Sequence, residues 1–201
     1  PCHNPTDSDT DREMSTKHRN NERVRRTHHG RMLAHLAALF HRRWAVPVLA
    51  EMHKDRGAKA ITLTNRLGVS RESLRATVDE LIEHGWIARN PGYGHPMRPE
   101  YLLTRRGEKL GPTCVRLMAM LRNMRIQRIA LRKWSMPITL ALAGGVEHFG
   151  ELKRILPGIT SRALTLGLKE LKRTGLIERR IVDQYPPTTS YRLTRRGRRL
   201  V

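Results

Sequence analysis

The chain has 201 residues, of which 38% are hydrophobic and only 4% aromatic, enough for one large or two small domains. It carries 39 Lys and Arg against 18 Asp and Glu, giving a formal charge of +21 and an isoelectric point near 11.4. Self-repulsion of that size suits a polyanionic partner, nucleic acid first of all, whereas two cysteines in unlike contexts (Cys2 and Cys114) exclude a disulfide framework. No apolar run reaches membrane-spanning length and no signal peptide is visible. A cytoplasmic, nucleoid-associated protein with no membrane partner is therefore expected.

Residues 1–30 are polar, with six Lys/Arg against five Asp/Glu, and read as a disordered arm. Cys2, His3, His18, His28 and His29 in that arm show no zinc-site spacing, so neither metal nor cofactor is expected. From Arg31 to about His53, Leu33, Leu36, Ala37, Phe40, Trp44, Val48, Leu49 and Met52 recur at helical spacing. Pro47 either kinks this helix or opens a second. Ile61–Leu67 predicts a short helix, Gly68-Val69-Ser70 a turn with Ser70 as N-cap, and the next helix runs to about His84, stopped by Gly85. Residues 86–89 and 101–103 read as strands around a Gly/Pro turn. Arg106–Leu131 reads as one long helix, apolar on more than one face and hence buried between domains or subunits. The same order then returns: helices near Trp134–Leu142, Glu151–Ile155 and Thr160–Thr174, strands at 176–182 and 191–193, and a wing tip near Asp183–Thr189.

The return is literal. Tyr101, Leu103, Thr104, Arg105, Arg106, Gly107 and Leu110 reappear 90 residues later as Tyr191, Leu193, Thr194, Arg195, Arg196, Gly197 and Leu200. The same ungapped offset pairs Trp44 with Trp134, Pro47 with Pro137, Leu74 with Leu164, Glu80-Leu81 with Glu170-Leu171, and Gly85 with Gly175. Helix, helix, turn, helix, hairpin is the winged helix-turn-helix plan. The fold class is mainly α with small β-hairpin wings (α+β), as two tandem winged helix-turn-helix domains at 31–111 and 112–201 joined by the long helix. Charge is uneven between them: 14 Lys/Arg against 8 Asp/Glu in the first, 19 against 5 in the second.

The second repeat resembles the HxlR-type transcriptional regulators. The likeness rests on Lys133-Trp134, His148-Phe149-Gly150-Glu151-Leu152, the run Leu156–Thr165, Leu168-Lys169-Glu170-Leu171, Thr174–Arg179, Pro186-Pro187 and Tyr191–Gly197. The first repeat is a weaker relative. The resemblance implies a bacterial repressor or activator, usually a homodimer with one domain per chain; a tandem pair departs from that pattern. Leu166 and Gly167 also depart from it, standing in the recognition helix where members usually carry polar or basic residues. The dimerising helix that follows the T-x-x-G segment in the family has a counterpart in Arg106–Leu131 but none after the second repeat.

In a helix-turn-helix the second helix enters the major groove. Its outward side in the first repeat is read as Glu72, Ser73, Ala76, Asp79, Glu80 and Glu83, four carboxylates that phosphate would repel. In the second repeat the equivalent set is Arg162, Ala163, Leu166, Lys169, Glu170 and Arg173. The second repeat is thus expected to be the principal reader of double-stranded DNA. Thr160 is its helix cap, Ser161, Arg162 and Thr165 lie nearest base edges, and Lys169 and Arg173 lie nearest phosphate. Arg179, Arg180, Thr188, Thr189 and Arg192 line the wing. Ser70, Arg71, Ser73, Arg75 and Arg98 form a possible secondary site. The rival function is a tandem winged-helix module for protein assembly or RNA binding; no enzyme motif is present. Leu33, Leu36, Phe40, Val115, Met118 and Leu121 offer more apolar surface than one chain is expected to cover. A homodimer is therefore expected, with a monomeric pseudo-dimer as the alternative. Cys114 reads as a small buried hydrophobe; the resemblance implies a redox input as its alternative.

Overall fold

The computed structural model describes residues 30, 32–92, 99–182 and 188–201. The arm at 1–29 therefore lies outside the described residues, as do Arg98 and the tip of the second wing at 183–187.

A first helix (α1, 32–39) buries Leu33 and Leu39 and ends in a corner at residues 40–44. α2 (Ala45–Asp55) follows, with Pro47 in its first turn, so the proline opens a second helix rather than kinking one. α2 is the central helix of the first unit, burying Ala45–Ala50 and Met52. α3 (Ala60–Leu67) turns through Gly68, at φ 61, into α4 (Arg71–Glu83), whose N-cap Ser70 accepts from the Ser73 amide. Leu74, Thr77, Val78 and Leu81 form the buried side of α4. β1 (Ile87–Arg89) and β2 (Tyr101–Leu103) pair antiparallel, with Ile87 opposite Leu103.

The expected single helix from Arg106 to Leu131 is two. α5 (Arg105–Asn123) stops at Met124, the chain turns through Arg125 at φ 55, and α6 (Gln127–Ala130) is a separate turn of helix. The Ile126 amide reaches back to the Leu121 carbonyl at 3.1 Å, the six-to-one closure of a Schellman cap. A left-handed turn at a non-glycine leaves no mark in apolar periodicity, and Leu121, Met124, Ile126 and Ile129 on both sides of it are buried. α5 runs unbroken through residues 111 and 112 and packs chiefly on α2. A Cβ on Gly111 would lie 2.4 Å from the His53 ring, so this glycine sets how closely the two helices approach.

The second unit repeats the order as α7 (Ser135–Ala143), α8 (Phe149–Ile155) and α9 (Ser161–Arg173). The antiparallel pair β3 (Ile177–Val182) and β4 (Thr188–Leu193) follows, with a terminal 3-10 turn at Gly197–Leu200. Its Leu152, Leu164, Leu168, Leu171 and Leu176 join the buried residues of the first unit in one apolar cluster. Three of the residues expected to need cover from a partner do not need it: Leu33, Phe40 and Leu121 are sealed within the chain. Leu36, Val115 and Met118 remain half-buried.

The repeated Thr-Arg-Arg-Gly segment has one structural job in both units. Thr104 Oγ1 donates to the Gly85 carbonyl and accepts from the Gly107 amide; Thr194 Oγ1 does the same with Gly175 and Gly197. A Cβ on Gly107 or Gly197 would lie 2.0 Å from the carbonyl oxygen of Trp86 or Leu176, so only glycine fits. Arg106 and Arg196 donate to the carbonyls of His84 and Thr174, each 3.3 Å away, which makes the second arginine part of the latch. Arg196 also donates to the Met124 carbonyl at 2.8 Å, tying the end of the second unit to the end of α5.

Candidate nucleic-acid interface

α9 presents the expected outward stripe. Thr160 is its N-cap, accepting from the Ala163 amide at 3.1 Å, so its hydroxyl already serves the helix end. Ser161, Arg162, Thr165, Leu166, Lys169, Lys172 and Arg173 are exposed, whereas Leu164, Leu168 and Leu171 are buried. The Thr165 hydroxyl donates back to the Ser161 carbonyl at 2.9 Å. Neither Arg162 nor Lys169 forms an ion pair among the described residues, and Arg173 approaches Glu170 only at 4.0 Å. Gly167 is not an outward position. It is half-buried, and a Cβ there would lie 2.7 Å from the Ile138 side chain, so it lets α9 close onto α7.

Two glutamates read as outward turn inward. Glu80 of α4 accepts from Arg42 at 2.9 Å and meets His41 Nδ1 at 2.5 Å, both on the corner before α2. Ninety residues on, Glu170 of α9 pairs with Arg132 on the corner before α7. Glu80 and Glu170 thus clasp each recognition helix to the same corner of its unit. The offset had also aligned Glu72, Asp79 and Glu83 with Arg162, Lys169 and Arg173. The acid kept in both units is the one with an internal partner; the three that reverse sign are the exposed ones. Aligned Arg42 and Arg132 were the available sequence signal for this pairing.

The wing residues do not act as one set. In β3–β4, Arg179 pairs across with Tyr191, Arg180 with Ser190 and Glu178 with Arg192. Strand alternation therefore puts Arg179 and Thr189 on one face, and Arg180, Thr188 and Arg192 on the other. Arg179 donates to the Thr189 hydroxyl at 3.3 Å, and Arg180 pairs with Glu178 at 2.7 Å. Arg192 is held by Glu147 at 2.8 Å, a partner 45 residues away that sequence spacing does not reveal.

The corresponding surface of the first unit is differently built. Ser70 is spent as a cap; Arg71, Ser73 and Arg75 are exposed, and Arg75 sits 3.9 Å from Asp79. The outer part of α4, from Ala76 to Glu83, walls a groove of about 820 Å³ shared with Lys133, Trp134, Pro157 and Gly158 of the second unit. Trp44 and Trp134 are half-buried, with Arg43 and Lys133 stacked on their rings at 4.9 and 5.3 Å. Cys114 is buried in α5, and burial pushes its thiol up to about 12, the opposite of a reactive thiolate. No cluster of three metal-ligating side chains occurs among the described residues, and no described helix is long and apolar enough to cross a membrane.

Each half is thus a winged helix-turn-helix, and the pair makes a tandem protein of that class. The model of the HxlR-like helix-turn-helix family matches residues 39–128 and again 129–201, and the chain belongs to that family. It is similar to the uncharacterized HTH-type transcriptional regulator YdeP of Bacillus subtilis, with 43% identity over 68 residues, 34% of this chain and 53% of that protein. The similarly described YybR of the same organism is 41% identical over 68 residues, covering 34% and 54%. The chain spans about half the length of these curated relatives. A crystal structure of a putative MarR-family transcriptional regulator from Porphyromonas gingivalis is 31% identical. It covers 38% of this chain and 74% of that one, with a TM-score of 0.34.

Proposed function

We propose that the chain is a transcriptional regulator that binds double-stranded DNA, with α9 of the second unit in the major groove and the β3–β4 wing alongside. The observation that carries this reading is the sign reversal on the recognition helix. All three exposed acids of α4 are matched by bases on α9, while the glutamate with an internal partner is unchanged. On this reading Arg162, exposed in the first turn of α9, reads guanine, and the exposed Lys169 and Arg173 contact phosphate. The family's regulators and the charge of +21 support the same partner and a cytoplasmic, nucleoid-associated site of action. We place the divide between units after α5, because that helix packs on α2.

One chain offers one basic recognition helix. A homodimer supplies the second for a half-site about one turn away, and it is favoured over a monomeric pseudo-dimer because α4 is acidic and faces the second unit. Titration of the full chain with duplex DNA at several salt concentrations tests the reading. Arg162→Ala is expected to cost roughly 1–3 kcal/mol and relax sequence preference, whereas Lys169→Ala weakens all sequences alike and lowers the salt slope by about one. Arg71→Ala and Arg75→Ala are expected to change little. The inverse pattern would move the reader to α4. Preference for duplex RNA would favour the RNA-binding alternative.

A further inference from the structure

Leu166 stands out on α9. It is 53% exposed at the centre of a stripe whose other exposed members are polar or cationic, with Arg162 one turn before it and Lys169 one turn after. Its counterpart in the first unit is Ala76, half-buried at the groove between the units. The buried side of α9 is already filled by three leucines, so Leu166 contributes nothing to the core. No exposed apolar side chain of α9 adjoins it, as in a stripe built for a protein partner: Ala163, one turn back, is half-buried against the core, and the exposed neighbours along the helix are Arg162, Thr165 and Lys169.

The surroundings fix the chemistry of what Leu166 meets. Cations on both sides draw a polyanion against this face. Phosphate and the polar base edges give a leucine nothing. The apolar group on the floor of the major groove is the 5-methyl of thymine. Leu166 is the sixth residue of a 13-residue helix, within the N-terminal half that approaches bases. It lies about 6 Å along the axis from Arg162, roughly two base steps.

We propose that Leu166 is a specificity-determining residue that packs against a thymine methyl, about two base pairs from the guanine facing Arg162. This rests on the reading of α9 as the DNA-entering helix. The helix would thus combine one polar and one apolar contact, reading a guanine and a thymine in fixed spacing.

The test uses duplexes enriched from a random library by the wild-type full chain. Each thymine of the enriched site is replaced in turn by deoxyuridine, which removes one methyl and nothing else. At one position per half-site the wild type is expected to bind the uracil duplex about fourfold more weakly, the equivalent of about 0.8 kcal/mol for one buried carbon. Leu166→Ala is expected to bind both duplexes equally with an unchanged salt slope, and Leu166→Met to keep the discrimination. Indifference of the wild type to uracil at every position, or full discrimination by Leu166→Ala, overturns the proposal. Arg162→Ala in parallel separates the two levels. If it weakens binding while uracil is silent, only the role of Leu166 fails. If neither variant changes binding, α9 is not in the groove and both readings fall.

Discussion

α4 and α9 are the same helix twice. Both start at a hydroxyl cap, bury one side that carries aligned leucines (Leu74 and Leu81, Leu164 and Leu171), and are clasped by an inward glutamate to an arginine on the corner before the unit's central helix. They differ on the side that faces away. α9 offers Arg162, Lys169 and Arg173 to its surroundings; α4 carries acids there and walls a groove against the second unit. What builds the unit has been kept in both copies, and what a ligand would touch has not. The comparison therefore sorts residues of the recognition helix by role without any bound partner: the glutamate kept at the 90-residue offset holds the fold, and the three positions whose charge reverses face outward.

The latch glycines give the largest expected effect. Gly107→Ala and Gly197→Ala each force a methyl into a carbonyl oxygen 2.0 Å away. Each is expected to cost about 3 kcal/mol or more, and by similar amounts, in urea unfolding. A large loss in one and none in the other would end the equivalence of the two latches.

Alkaline pH is expected to sharpen the contrast between the units. Burial pushes the Tyr101 hydroxyl up to about 12, helped by Glu100, and pushes the Cys114 thiol up to about 12 as well. Both groups are neutral in the fold and ionise earlier in the unfolded chain, from ordinary values of 10 and 9. Their contribution is complete below about pH 9 and is lost as pH rises toward 12. Urea midpoints between pH 8 and 11 should fall, and Tyr101→Phe and Cys114→Ala should each flatten the decline. A decline unchanged in both variants would place its origin elsewhere. Cys114 should also resist alkylation at neutral pH until the chain unfolds.

The smallest expected effect is at the clasp. Arg42 and Arg132 are about half exposed, so Arg42→Ala and Arg132→Ala should each cost no more than about 1 kcal/mol of stability in urea unfolding. Losses of several kcal/mol would mean the clasp holds each unit together rather than orienting one helix.

Helix boundaries, caps and hairpins were legible in the sequence because each is a local matter. Ser70 and Thr160 cap their helices, Gly68 and Gly85 take left-handed turns, and Pro47 opens a helix within a residue or two of the positions expected. The stripe of α9 was legible by the same logic of period. Contacts across distance were not. The fates of Glu80, Glu170 and Arg192 depend on partners about 40 residues away, and a carboxylate at the margin of a helix face reads as outward until its arginine is placed. Gly167 stood out in the sequence only as a departure from the family's recognition helix; its role in closing α9 onto α7 depends on Ile138, which helical period within α9 does not reveal. The break at Arg125 was hidden because an arginine rarely takes the conformation it adopts there.

The Gly167 contact has a consequence for anyone wishing to move a recognition surface between the two units. In the first unit the aligned pair is Thr77 on α4 and Val48 on α2; in the second it is Gly167 on α9 and Ile138 on α7. Thr77 is fully buried in α4, whereas at the aligned position of α9 Gly167 leaves the space to the Ile138 side chain. Transplanting α9 whole would leave a hole where the Thr77 side chain is buried, and transplanting α4 whole would drive a threonine into Ile138. Only the solvent-side letters of the helix are portable; the letter beneath them must travel with its neighbour or stay behind.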